Sequence, residues 1–213
     1  MIWPWITLAL LGLWHGLNPG MGWLFAVSRG LQERRGGAVA AALPPIALGH
    51  ALAIGLALAG FAAFKATLPA GPVRWATAAL LIGFGVLKLI RHRHPRWVGM
   101  RVGFRDLTVW SFLMATAHGA GLMLLPLFVV GEAAAAAPAC HADAGLALDG
   151  PGGYVGATLV HTGAMLAVTG VIALVVYHKL GLALLRRAWF NLDWVWSLAL
   201  IVSGAAALAA PLA

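Results

Sequence analysis

Charge is scarce in this chain. Only 9% of its 213 residues are Asp, Glu, Lys or Arg, against 62% that are hydrophobic, and a soluble domain of this size could not cover its surface with so few charges. With a mean hydropathy of +0.91, the composition excludes an ordinary water-soluble domain and implies a polytopic membrane protein. Carboxylates are rarest, six in all, with none deep in any apolar segment. Cysteine is nearly missing as well: the single Cys140 excludes an intramolecular disulfide and any paired-cysteine redox site, which disfavours a thiol-shuttling electron carrier. No Lys or Arg precedes Arg29, and the first apolar run is too long for the core of a signal peptide, so that segment is expected to be retained. A formal charge of +8 would suggest nucleic acid in a soluble protein. Here the basic residues act as topology signals, and no nucleic-acid partner is expected.

Six segments are apolar enough to cross about 30 Å of hydrocarbon, which takes roughly 20 helical residues: Ile2 to Ser28, Ala38 to Phe64, Pro72 to Ile90, Leu107 to Val130, Tyr154 to Tyr177 and Ala188 to Leu208. The predicted fold is therefore all-α, six transmembrane helices in one membrane domain over residues 1–213. The loops after the first, third and fifth segments hold Arg29, Arg34 and Arg35; Lys88, Arg91, Arg93, Arg96, Arg101 and Arg105; and Lys179, Arg186 and Arg187. Only Lys65 and Arg74 lie opposite. The positive-inside rule puts those three loops in the cytoplasm and both termini outside, as expected for the cell's inner (plasma) membrane. The connection 131–153 is then external. Trp3, Trp5, Trp75, Trp97, Trp110, Trp189, Trp194 and Trp196 fall near segment ends, where interfacial anchors belong.

The first segment carries Trp14-His15-Gly16-Leu17-Asn18-Pro19-Gly20-Met21-Gly22-Trp23. Pro19 removes a backbone donor and Gly20 and Gly22 let the chain turn, so this helix is expected to break. Broken backbone inside a membrane survives only around a protein-lined or watery cavity. Gly12, Gly16 and Gly20 recur every four residues, a ridge on which another helix can approach closely. Pro44-Pro45 is expected to interrupt the second segment before His50.

An internal repeat is also predicted. Trp14-His15-Gly16 to Met21 corresponds to Ala117-His118-Gly119 to Met123, and Gly49-His50-Ala51 corresponds loosely to Val160-His161-Thr162. With three segments per half, 1–95 and 105–213, the second copy would be inserted upside down, the inverted three-plus-three arrangement of many secondary transporters.

Half of the eight histidines, His15, His50, His118 and His161, lie inside apolar segments. A buried imidazole often just bonds a neighbouring carbonyl, but four at corresponding positions suggest a shared site. Asn18 follows His15 by three residues, Met114 precedes His118 by four and Met165 follows His161 by four, so each shares its neighbour's helical face. Imidazole suits nickel, cobalt, copper and zinc, and thioether favours monovalent copper. The expected binding set is His15, Asn18, Met21, His50, His118 and His161. Met165 and the external trio Cys140, His141 and Asp143 form a lesser one. Histidine can also titrate near neutrality and serve proton-coupled exchange.

At the opening stretch the sequence resembles the nickel/cobalt efflux proteins of the lysine-exporter-type transporter superfamily, whose first-span motif reads His-x-Leu-x-Pro-Gly-His-Gly. His15, Leu17, Pro19, Gly20 and Gly22 match, Met21 stands where the second histidine is expected, and His50 resembles the histidine of the next span. The resemblance covers about the first 60 residues. It implies a small inner-membrane transporter in which His15 and His50 help bind a transition metal. The thioether at Met21 makes that site softer, and the histidine-rich cytoplasmic loop of those proteins is reduced to His92 and His94.

The expected function is therefore a non-enzymatic secondary transporter moving a transition-metal cation of the nickel, cobalt or copper type. The ion is cargo and no resident cofactor is implied. A small-anion or zwitterion exporter on the same fold stays open, as does a haem-binding redox protein with facing histidines. A membrane-embedded metal hydrolase is disfavoured, since no carboxylate is placed as a general base. Beyond the lipid bilayer and the transported solute, a homo-oligomer is also left open.

Overall fold

The computed structural model describes residues 2–90, 103–129, 148, 150–180 and 193–209, and among them there are eight helices and no strand. Helix α1, Trp3–Leu17, opens with Pro4 in its first turn, where a fixed φ and a missing donor cost nothing. It stops where expected. Asn18, ahead of a proline, is extended at φ −69°, ψ 124°, as the ring's clash with the preceding residue dictates. Pro19–Met21 forms a single 3-10 turn, and Gly22 at φ +114° takes a left-handed conformation that a side chain would strain. Helix α2 then runs over Trp23–Glu33. Trp23 Nε1 donates to Leu17 O at 3.2 Å, occupying one of the carbonyls that the end of α1 leaves open.

Helix α3, Gly36–Thr67, is 32 residues long and passes through Pro44 and Pro45 without interruption. The expected break there is corrected. Two prolines remove two donors from the ladder, whereas ending the helix in apolar surroundings would strip partners from many more backbone groups. Helices α4, Ala70–Ile90, and α5, Phe104–His118, follow. Gly119 at φ +70° closes α5, and Ala120 N–H reaches back to Ala115 O at 2.9 Å, a Schellman-type stop. The chain resumes, bent by 48°, as α6, Leu122–Val129. Helix α7, Gly150–Val175, ends in a π-helical turn, Val176–Leu180, and α8 is Asp193–Ala209.

Six membrane-spanning helices are not found. Among the described residues three helices are long and apolar enough to cross a membrane, α3, α4 and α7 with its π turn, and a fourth span exists only if the bent pair α5 and α6 counts as one. The first segment fails because its break divides it into pieces of 15 and 11 residues, about 22 and 16 Å at 1.5 Å per residue. The last fails on length, α8 having 17 residues. Three or four spans do not divide into two halves of three, so no inverted three-plus-three repeat is evident. The likeness between the first and fourth segments is that of two helix stops, each using glycine at positive φ, Gly22 and Gly119.

The helices pack mainly in pairs, α1 with α7, α3 with α5 and α4 with α8. Glycines allow each pairing. A methyl at Gly12 or Gly16 would strike the carbonyls of His161 or Met165 on α7, one at Gly49 would strike Thr108 O on α5, and one at Gly85 would sit 2.9 Å from Ser197 O on α8. Backbone lies against backbone, as small residues permit in apolar bundles. Among the described residues three apolar clusters fill the interior. One joins Leu8, Ile54, Leu58, Phe128 and Ala157; a second joins Trp23, Val39, Ile46, Leu107 and Met165; a smaller third joins Leu81, Met123, Trp196 and Leu200. Along α3, His50 falls between Ile46 and Ile54, and along α7, His161 falls between Ala157 and Met165, so both sit at the seam between the first two clusters. An open apolar groove of about 320 Å³ runs between α3 and α4, lined by Phe61, Phe64, Leu80 and Leu122 and by no histidine.

Candidate functional site

Three of the four predicted histidines meet at that seam. His15 comes from the last turns of α1, His50 from the middle of α3 and His161 from the middle of α7. Their ring centroids are 5.6 Å apart for His15 and His50, 4.8 Å for His15 and His161, and 5.5 Å for His50 and His161. All three are at most 1% exposed. His118 is equally buried at the end of α5 and joins through Trp196, whose ring lies 6.4 Å from His118 and 4.2 Å from His15.

The backbone sets how these rings present themselves. His15 Nδ1 is 3.0 Å from Leu11 O, His118 Nδ1 is 2.8 Å from Met114 O and His161 Nδ1 is 3.2 Å from Leu8 O. A carbonyl only accepts, so the proton is assigned to Nδ1 in each, and Nε2 of the neutral ring presents a lone pair. This is how ligating histidines are commonly oriented. His50 shows no such tie among the described residues.

At the seam, three of these nitrogens stand unpartnered among the described residues. Nε2 of His15, His50 and His161 are all buried without a hydrogen bond, and so are Thr162 Oγ1 and Trp196 Nε1. Trp196 packs on His15, so its Nε1 and the three Nε2 atoms put four unsatisfied polar atoms in one small region, whereas Thr162, next to His161 on α7, faces another side of that helix. Orphaned buried groups are rare in folded proteins, because each forgoes its hydration for nothing. These nitrogens are the seam's unused hydrogen-bonding capacity.

Its dimensions suit a metal ion, although its present aim does not. Three imidazoles bound to one tetrahedral ion at about 2.0–2.1 Å from each nitrogen have ring centres about 5 Å apart. The observed separations bracket that figure. Yet among the described residues no group of three His, Cys, Asp or Glu is arranged to hold a metal ion. Ring spacing alone therefore does not make a coordination site here.

The other predicted residues divide. Asn18 is buried, and its Oδ1 accepts Gly20 N–H at 2.8 Å, so it holds the break in shape. A methyl at Gly20 would lie 3.2 Å from Asn18 Oδ1, 3.4 Å from His118 Cε1 and 3.4 Å from Met114 Cε, which places the break against His118. Met21 is buried beside it. Met165 is fully buried, and its Sδ lies 3.3 Å from Thr169 Oγ1, whose single proton is shared with Gly16 O at 3.5 Å. Cys140, His141 and Asp143 lie outside the described residues.

Trp196 and Thr162 were absent from the predicted set. Trp196 was expected as an interfacial anchor, and so was Trp110, but they are 1% and 9% exposed, while Trp3, Trp75 and Trp194 are exposed as anchors would be. Their serine neighbours were the available signal: Trp196-Ser197 and Trp110-Ser111 pair an aromatic with a small polar residue, as an inward helix face does. Ser111 Oγ donates to Ile46 O at 2.7 Å, one turn before His50. No family model, no curated protein and no solved structure matches this chain.

Proposed function

We propose that this chain is a membrane transporter that passes a transition-metal cation through a site made by His15, His50 and His161. The observation that carries this reading is the set of three buried, unpartnered Nε2 atoms on rings 4.8 to 5.6 Å apart. In His15 and His161, whose Nδ1 is committed to a carbonyl, neutral Nε2 can act only as an acceptor, and the partners it can take are a proton, a donor or a metal ion. The ligands come from α1, α3 and α7, two of which are long and apolar enough to span a membrane, so an ion held there would sit within the bilayer's thickness. The first-span resemblance to nickel/cobalt efflux proteins points the same way. In this reading the protein lies in the inner membrane, with Arg29, Arg34, Arg35 and Lys179 at the cytoplasmic face. It performs no covalent chemistry.

The test is flux. Purified protein in sealed vesicles is expected to move metal ions along their gradient, and replacing both His15 and His50 with alanine is expected to abolish that movement. Undiminished flux in the double variant would sink the assignment. A second reading rests on the unpartnered donor beside His15, Trp196 Nε1, which would suit a small anion or zwitterion instead. Flux that follows a pH gradient and ignores chelators would select it.

A further inference from the structure

The three imidazoles say little about which ion they hold, but their surroundings say more. The sequence has no Asp or Glu between residues 34 and 105, 107 and 131, or 150 and 192, so the helices bearing His50 and His161 carry no carboxylate at all. The two acids whose side chains are described stand at helix ends: Glu33 is engaged by Arg29 and Arg35, and Asp106 caps Gly103 N–H at 3.0 Å. Ligands available at the seam are therefore neutral, and an ion bound there keeps its full charge. Born solvation scales with the square of charge, so dehydrating a dication costs about four times as much as a monocation of equal size. Neutral ligands in an apolar seam favour single charge.

Softness points the same way. Every methionine among the described residues is buried: Met21, Met114, Met123 and Met165. Met165 lies one turn beyond His161 on α7, and Met114 lies one turn before His118 on α5, with its methyl turned toward Gly20 in the break of the first segment. Thioether sulfur selects soft monovalent ions, which imidazole also binds and which accept two or three ligands. The indole of Trp196 against His15 adds an aromatic surface, which attracts a poorly hydrated cation.

From these features we infer that the cargo is a soft monovalent cation, of the copper(I) or silver(I) class, and that Met165 supplies its thioether contact beside His161. The inference rests on the metal-transport reading and narrows it to one charge and one ligand type. Silver nitrate in chloride-free buffer, nickel(II) and cobalt(II) are offered separately to vesicles containing the full chain, and internal metal is measured by mass spectrometry. Silver is expected to enter well above the leak of empty vesicles, with nickel and cobalt at leak. Met165→Leu, a replacement that cores usually tolerate, is expected to slow silver entry by about tenfold while the protein still elutes as a single species. Nickel or cobalt entry with silver at leak would overturn the inference and leave the metal reading standing. No metal entry at all would remove both. Silver entry unchanged in Met165→Leu would overturn the thioether assignment.

Discussion

His50 and His161 reach each other from different helices with their rings within 6° of parallel and their centroids 5.5 Å apart, while His15 meets both nearly edge-on. Because these contacts are ring to ring, while the ring contact of His118 is with Trp196, the four histidines are not equivalent. Alanine at His161 or His50 is expected to weaken silver or other metal binding by more than about 100-fold, beyond what loss of an outer-shell partner costs. Alanine at His118 is expected to cost clearly less. Titration calorimetry on detergent-purified variants measures both, and equal losses at His118 and His161 would contradict the geometry.

The contact between α1 and α7 leaves no room for a side chain at Gly16. A Cβ there would lie 2.5 Å from Met165 O and 2.8 Å from Val168 Cβ. Gly16→Ala is expected to destabilise the protein by about 1–3 kcal/mol, the usual range for overpacking. Gly55, in the middle of α3, meets nothing within 4 Å, and Gly55→Ala is expected to be neutral or stabilising by about 0.4–1 kcal/mol. Thermal unfolding in detergent separates the two.

Trp196 is both wall and filler. It is 1% exposed, and its Nε1 has no partner. Trp196→Ala is expected to cost about 3–5 kcal/mol through the cavity it leaves. Trp196→Phe keeps an aromatic surface against His15 and removes an unsatisfied donor, so it is expected to cost much less. A denaturation midpoint for Phe as low as that for Ala would contradict this reading of Trp196 as a space-filling ring.

At the end of α2, Glu33 accepts from Arg29 Nε at 2.8 Å and from Arg35 Nη2 at 2.6 Å. The Arg29 bond first, and then Arg35, hold its carboxyl below the usual glutamate value. A carboxyl depressed in the folded protein contributes at pH values above its unfolded pKa, and loses that contribution as pH falls through the lowered folded value. Carbon-13 NMR of labelled glutamate is expected to show Glu33 titrating below the ordinary range and Arg29→Gln returning it part of the way. Exposure and salt screening keep the effect on global stability small.

What the sequence made legible was local. The break after Leu17 could be read because Pro19 and Gly22 impose it through backbone sterics, whatever surrounds them. The six spans could not survive, because hydropathy adds up apolar residues on both sides of a break and is blind to the break itself. Pro44-Pro45 misled in the opposite sense: the same residue type that stops one helix is carried through another when apolar surroundings make stopping more expensive. Three of the predicted histidines do gather, since apolar helices tolerate an imidazole chiefly where another polar group can share it. The packing of Trp196 against both His15 and His118 was invisible, as it depends on where α8, far along the chain, comes to lie.

One register has a mechanical consequence. His161 reaches Leu8 O and Thr169 reaches Gly16 O, each across the same 153 residues, with Gly12 and Gly16 letting the backbones touch between them. Helices α1 and α7 therefore run parallel as a riveted beam, and a slide of one turn would shear both rivets and drive side chains into carbonyls. His15 and His161 ride on that beam as a fixed jaw. His50, on α3, has no carbonyl tie among the described residues, so of the three rings it is the one held by packing alone.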